Sequence, residues 1–258
     1  MDNKNNDGNS MRALSGHFYA VGVGPGSPDL LTLRAVELIR SADVVIAPRS
    51  RKSDVSLALR TVSDLVDGQE IIDHVFAMTR DVESTISSWA KVAQLVGRRC
   101  RAGQAVVQIT IGDPLIYSTS CYLLALVREN LANDCVHVVP GISAFQASAC
   151  LLDEALTMQE DRMTVMPATD LARVEEALDH CETLVLFKAG KRIAELADLL
   201  DRRGLLGKAR VVCYAEQPDR QFVSTDLREA ANARHGYMAT VLVHVGRQEW
   251  PDAEVGSE

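Results

Sequence analysis

A chain of 258 residues, 47% hydrophobic and 24% charged, has the bulk for one large core or two moderate ones and the composition of a globular protein. Its formal net charge of −8 excludes a general nucleic-acid binder, whose affinity rests on a basic face, but not a small anion held by a local basic patch. No apolar run approaches the roughly 20 residues that span a bilayer, and the N-terminus is polar where a signal peptide would be basic and then apolar. The expectation is a cytoplasmic protein with no membrane partner.

Residues 1–16, rich in Asn, Asp and Gly, are expected to form a disordered tail, and 249–258 a mobile acidic one. Between them strand-like and helix-like segments alternate. A buried strand is expected over 18–23, a helix over 29–41 and a short strand over 43–47. Ser53 or Asp54 can cap a helix running to Val66, and 84–101 reads as a longer amphipathic helix. Strand 105–109, helix 120–130, strand 136–139 and the small-residue helix 143–152 follow. The second half gives strand 163–166, helix 170–180, strand 184–188, helix 193–203, strand 210–215 and a last strand 239–245. This order predicts an α/β fold of two α/β lobes, 17–119 and 120–248, with mainly parallel to mixed sheets and no flexible linker between them.

The six cysteines show no C-x-x-C spacing and sit mostly within apolar runs, as buried free thiols of a reducing compartment do. The six histidines are scattered, with no pair at ligand spacing, so no metal site is expected. Trp89 on its amphipathic helix reads as a packing residue. His74, His137 and His244, in or beside strand-like runs, read as hydrogen-bonded structural groups.

Three glycine-bearing turns carry the chemical information. Gly22-Val23-Gly24-Pro25-Gly26 follows the first strand but departs from the dinucleotide fingerprint. Its third glycine comes one residue early, and Pro25 removes an amide donor where a pyrophosphate needs one. A rigid loop lining a cleft is the better reading, and a nicotinamide or flavin is disfavoured. Ile111-Gly112-Asp113-Pro114 delivers a strand to a helix, the junction at which open α/β sheets bind ligands; Gly112 permits close backbone approach and Pro114 presets the turn. Pro140-Gly141-Ile142-Ser143 repeats the arrangement, with Ser143 available as a helix cap.

Together these turns, with Leu31-Thr32-Leu33, Ala42-Asp43-Val44-Val45 and Tyr117 three residues after Pro114, resemble the tetrapyrrole methylases over about residues 17–246. Within that family, Pro48-Arg49-Ser50-Arg51, Phe76-Ala77-Met78-Thr79-Arg80-Asp81, Met166-Pro167-Ala168-Thr169 and Leu186-Phe187-Lys188-Ala189-Gly190 look most like the branch that methylates C-20 of precorrin-2 or cobalt–factor II. The resemblance implies a homodimer in which a cleft between two lobes holds S-adenosylmethionine, largely through backbone groups. Carried over by motif, Pro25, Gly112, Asp113, Ile116, Ser143 and Ala144 would contact that cofactor, with Ala189 and Thr240 as further candidates. The stretch Tyr237-Met238-Ala239 departs from the more aromatic family pattern. No catalytic nucleophile, general base or metal ligand is nominated, because in-line methyl transfer mainly needs aligned partners. The implied substrate carries acetate and propionate arms, so an acidic protein must concentrate positive charge locally. Arg49, Arg51 and Lys52, with Arg80 next, are the candidates for that role, and a solvated basic loop is the alternative. Two alternatives to the C-20 reading remain: a methylase acting at another macrocycle carbon, and a non-catalytic S-adenosylmethionine-binding protein of the same fold.

Overall fold

The computed structural model describes residues 11–49, 56–75, 82–232 and 238–246. It divides into two compact units, Met1–Ser143 and Ala144–Glu258.

In the first unit, β1 (Phe18–Gly22) leads to α1 (Leu33–Ser41), β2 (Val44–Arg49), α2 (Leu57–Thr61) and β3 (Glu70–Val75). Then come α3 (Val82–Arg101), β4 (Val106–Thr110), α4 (Ser120–Arg128) and β5 (Val136–Val139). The strands form one parallel sheet in the order β3-β2-β4-β1-β5. Strands β1 and β4 are buried along their whole length, as central strands covered on both faces must be. Alternate side chains serve opposite faces. Phe18, Ala20, Val44 and Val106 pack with Trp89, Val92 and Val96 of α3 and Leu123, Leu124 and Val127 of α4. Tyr19, Val21, Val45, Val107 and Ile109 pack with Ala35, Leu38 and Ile39 of α1 and Ala58 of α2.

The second unit contains α5 (Ala144–Leu152), β6 (Met163–Pro167), α6 (Leu171–Ala177), β7 (Thr183–Phe187) and α7 (Ile193–Arg202). It continues with β8 (Ala209–Cys213), β9 (Phe222–Ser224), α8 (Leu227–Asn232) and β10 (Ala239–His244). Its sheet, β6-β7-β10-β8-β9, is mixed: β6 and β7 are parallel, and β10 runs antiparallel to both β7 and β8. One face is covered by α6, α7 and α8 through Val174, Leu196, Leu200 and Leu227. The other receives Phe145 and Ala149 of α5 against Val185 and Leu242.

Several expectations are corrected. The division falls after Ser143 rather than near residue 119, because β5 pairs with β1 and completes the first sheet. Of the expected disordered tail, residues 13–16 are tied down: Ala13 N–H donates to Ser41 Oγ, Leu14 N–H to the Tyr19 hydroxyl and Gly16 N–H to Gln104 O. The remainder, 1–10, and the tail 249–258 lie outside the described residues. The helix expected from residue 29 begins at Leu33, where the Thr32 side chain accepts from Ala35 N–H at 3.2 Å; residues 28–30 form a separate tight turn. Ser56 caps α2 by accepting from Leu59 N–H at 3.3 Å, while Ser53 and Asp54 lie outside the described residues. Strands β3 and β9 and helix α8 were not expected.

The thiols are free, but only Cys100, Cys181 and Cys213 are buried; Cys121 and Cys135 are half-buried and Cys150 is exposed. Burial pushes the Cys100 and Cys213 thiols up to about 11, which keeps them in the unreactive thiol form. Trp89 packs in the core, edge-on to Tyr122. The three histidines are hydrogen-bonded: His74 to Ser88 Oγ, His137 to His17, and His244 to Glu154.

Candidate functional site

Strands β1 and β4 are neighbours, yet the chain leaves their carboxyl ends toward opposite faces, to α1 and to α4. That divergence is a topological switch point, where an open α/β sheet has a crevice for ligands. The turns after β1, β4 and β5 meet there through their backbones. Gly112 N–H donates to Gly24 O at 2.7 Å, and Val23 N–H to Thr110 O at 2.9 Å.

Glycine is dictated by space at two of the contact points. A Cβ on Gly22 would lie 2.5 Å from Gly112 O and 2.6 Å from Gly141 N, both backbone atoms. One on Gly141 would lie 2.7 Å from the Gly22 carbonyl carbon and closer still to Gly112 O. Gly112 differs: it sits at φ 72°, and its missing Cβ would meet nothing nearer than Ser143 Cα at 4.0 Å. The turn is therefore closed toward Gly22 and Gly141 and open along the Gly112 Cβ direction, where a ligand can approach the backbone.

Asp113 joins two of the turns. Its Oδ1 accepts from Leu115 N–H at 2.8 Å and its Oδ2 from Gly141 N–H at 3.2 Å. The half-buried carboxylate thus fixes its own turn and holds the turn after β5 against it. It also places a negative charge beside the opening, which suits a cationic ligand such as a sulfonium. The first turn is held from below by α2, whose Thr61 hydroxyl donates to Gly26 O at 3.3 Å.

A chain of hydroxyl and amide groups supports the turn after β4. Buried Gln108 donates to Ile109 O at 2.8 Å and accepts from Ser120 Oγ at 2.9 Å. Ser118 Oγ accepts from Ser120 N–H at 3.1 Å and lies 3.1 Å from Thr110 Oγ1. Between these anchors Tyr117 is held at φ 48°, a left-handed conformation uncommon for a bulky residue, with Leu115, Ile116 and Tyr117 all exposed.

Of the residues singled out in the sequence, Pro25, Gly112, Asp113 and Ser143 come together around this switch point, and Ile116 follows on the exposed loop. Ala144 opens α5. Ala189 and Thr240 belong to the second unit, where the short turn Ala189–Lys191 packs against β10. Ala189 is fully enclosed with Leu186, Ile193 and Ala239 and has no exposed surface, and Thr240 is buried. Arg49 ends β2, in register with Val75; Arg51, Lys52, Arg80 and Tyr237 lie outside the described residues. Among the described residues no three His, Cys, Asp or Glu side chains gather as metal ligands, and no helix is long and apolar enough to cross a membrane. Sequence reasoning did not single out Gln108 and Ser120, or the mutual packing of Gly22 and Gly141. The hydroxyl-rich run Ser118-Thr119-Ser120 beside a buried strand was the available signal.

A family model described as Tetrapyrrole (Corrin/Porphyrin) Methylases matches residues 17–231. The cobalt-precorrin-2 C(20)-methyltransferase of Salmonella typhimurium is 33% identical over 93% of this chain and 100% of its own length. A probable cobalt-precorrin-2 C(20)-methyltransferase of Methanocaldococcus jannaschii is 33% identical over 75% of this chain and 80% of its own. Among solved structures, a cobalt precorrin-4 methyltransferase shares the fold with a TM-score of 0.67 at 22% identity, covering 90% of this chain and 94% of the other. The uroporphyrin-III C-methyltransferase of Thermus thermophilus, solved with S-adenosyl homocysteine, gives 0.61 at 24% identity, covering 88% and 96%. The chain therefore belongs to the tetrapyrrole (corrin/porphyrin) methylases.

Proposed function

We propose that this protein transfers the methyl group of S-adenosylmethionine to the C-20 meso carbon of precorrin-2 or its cobalt-bearing counterpart, in cobalamin biosynthesis. The observation that carries the reading is the end-to-end match to the Salmonella C(20)-methyltransferase, at 33% identity over that protein's full length. The geometry at the switch point agrees with it: an open backbone face at Gly112 beside the Asp113 carboxylate fits a cationic cofactor held mainly by main-chain groups.

When bound, S-adenosylmethionine supplies an electrophilic methyl group on a sulfonium, and the macrocycle supplies an electron-rich carbon. The protein's task is to hold these in line, which accounts for roughly 7–11 kcal/mol of barrier lowering in well-oriented systems. Pro25, Gly112, Asp113, Ile116 and Ser143 contact the cofactor, with Ala144 and Thr240 as further candidates; Ala189, which has no exposed surface, is not one. Asp113 keeps both turns in register and favours the cation. Arg49, with Arg51, Lys52 and Arg80, binds carboxylate arms of the substrate. Replacing Arg49 and Arg51 together raises the KM for tetrapyrrole and leaves cofactor affinity intact; unchanged substrate affinity removes that assignment. The protein acts as a homodimer in the cytoplasm, which sedimentation and cell fractionation test.

The deciding experiment supplies S-adenosylmethionine labelled at the methyl carbon together with precorrin-2 or cobalt-loaded sirohydrochlorin, with products read by mass spectrometry and carbon NMR. Label at C-20 establishes the reaction, and the better acceptor establishes whether cobalt is already present. Label at another carbon overturns the regiochemistry, and cofactor binding without transfer overturns the enzymatic reading.

A further inference from the structure

Strands β7 and β8 both run antiparallel to β10, which lies between them, so their carboxyl ends lie at the same end of the second sheet. At that end three non-glycine residues are held in the left-handed region: Lys188 at φ 59°, Tyr214 at φ 51° and Glu216 at φ 59°. Side chains in this region are costly and persist where the surroundings over-determine them, which is common at binding sites. The loop after β8 is tied to itself: Gln217 N–H donates to Tyr214 O at 3.0 Å, Gln217 O accepts from Arg220 N–H at 2.9 Å and from Gln221 N–H at 2.8 Å, and Gln221 Oε1 accepts from Glu216 N–H at 2.9 Å.

The loop sets the Arg220 guanidinium over the Tyr214 ring, 3.8 Å from its centroid. Arg162, Arg192, Arg203, Arg210 and Arg228 in the same unit each pair with a carboxylate. Among the described residues Arg220 meets none, although Glu216 and Asp219 stand in its own loop. Arg173 and Arg202 also have no carboxylate partner there, but they ride on helices α6 and α7 rather than in a loop that follows a strand. Stacking on an aromatic face fixes a guanidinium plane while leaving its N–H edge free, the arrangement that receives a carboxylate through two parallel hydrogen bonds. Lys188 adds a second positive charge at the same end of the sheet.

We propose that Arg220, seated on Tyr214, binds a carboxylate arm of the tetrapyrrole substrate. The assignment rests on the reading that the chain acts on an acidic tetrapyrrole, and it adds a specificity residue outside the basic segments near β2 and β3. Tyr214 is the positioning residue, acting through the guanidinium that it holds.

The test separates binding from turnover. Uroporphyrin, a stable fluorescent tetrapyrrole with acetate and propionate arms, is titrated into the full chain, and kinetics are measured with precorrin-2 and S-adenosylmethionine. Replacing one charge-assisted contact, as in Arg220→Gln, is expected to weaken uroporphyrin binding and raise the tetrapyrrole KM about tenfold, with kcat and S-adenosylhomocysteine affinity unchanged. Arg220→Lys recovers only part of the loss, Tyr214→Leu loses part of it with the arginine present, and Arg173→Gln changes nothing. Equal uroporphyrin affinity in the wild type and Arg220→Gln overturns the proposal, as does a parallel fall in S-adenosylhomocysteine affinity or a wild type that does not bind uroporphyrin. A wild type that binds uroporphyrin through Arg220 but transfers no methyl keeps the anchor and overturns the methylation reading.

Discussion

The Asp113 carboxylate accepts a hydrogen bond from Gly141 N–H at 3.2 Å, bridging 28 positions of sequence and locking the turn after β4 to the turn after β5. Because its other oxygen accepts from Leu115 N–H at 2.8 Å, the side chain has a structural duty beside any contact with a ligand.

Asp113→Ala leaves two backbone donors without their acceptor, and a lost charged hydrogen bond costs about 1.5–3 kcal/mol. The expected result is a lower unfolding midpoint together with weaker S-adenosylhomocysteine binding by calorimetry. Asp113→Asn retains one acceptor and loses less stability.

Alanine at Gly22 or Gly141 puts a methyl group against backbone that cannot swing away, as a side chain could. Overpacking of this kind costs typically about 1–3 kcal/mol or more. Both variants are expected to unfold at lower denaturant and to lose cofactor binding, because the three turns are forced apart. Gly207→Ala is the control: its added methyl meets nothing within 4 Å, so the midpoint stays where it is.

Ser120→Ala removes the donor to Gln108 Oε1 inside the sheet. A buried acceptor left alone costs about 1–3 kcal/mol, and the turn carrying Tyr117 loses its footing. Chemical denaturation reads the first effect; faster amide exchange over residues 111–119 reads the second.

Stability is expected to fall on mild acidification. Burial holds the His74 and His137 imidazoles below the ordinary 6.5, and for His137 the neighbouring His17 adds to that depression. The unfolded chain then binds more protons than the folded one near and below 6.5, so these groups favour the fold above that value and lose their contribution as pH falls through the folded-state value. Urea midpoints should drop between about pH 7.5 and about pH 5.5, with a shallower slope in His137→Asn. Arg162 holds the Glu182 carboxyl down to about 2, so that ion pair is intact across this window.

The central strands were legible because both faces of β1 and β4 are buried and the sequence there is mainly apolar, with Gln108 and Thr110 the polar exceptions in β4. Strand β3 was not, since Glu70, Ile71 and Asp73 are exposed on a sheet edge and no alternation marks them. Segments of three and six residues, β9 and α8, are too short for a period to show. The three turns were recognisable one at a time from their glycines and prolines. That Gly22 and Gly141 touch, and that Asp113 binds Gly141, depends on pairings of strands far apart in the chain, which local pattern does not encode. The boundary after Ser143 was missed for the same reason, since only the β1–β5 pairing assigns β5 to the first sheet.

The register that sets Phe18 beside Val106 on one side and Val136 on the other also governs when a binding site comes into being. Pairings across such long loops are slow to form, because the chain must be closed before any contact repays the lost entropy. The turns after β1, β4 and β5 have no shared geometry until all three strands have docked, so a nascent chain halted before β5 lacks the crevice at the switch point. Ligand binding then favours only the completed sheet and stabilises it by mass action.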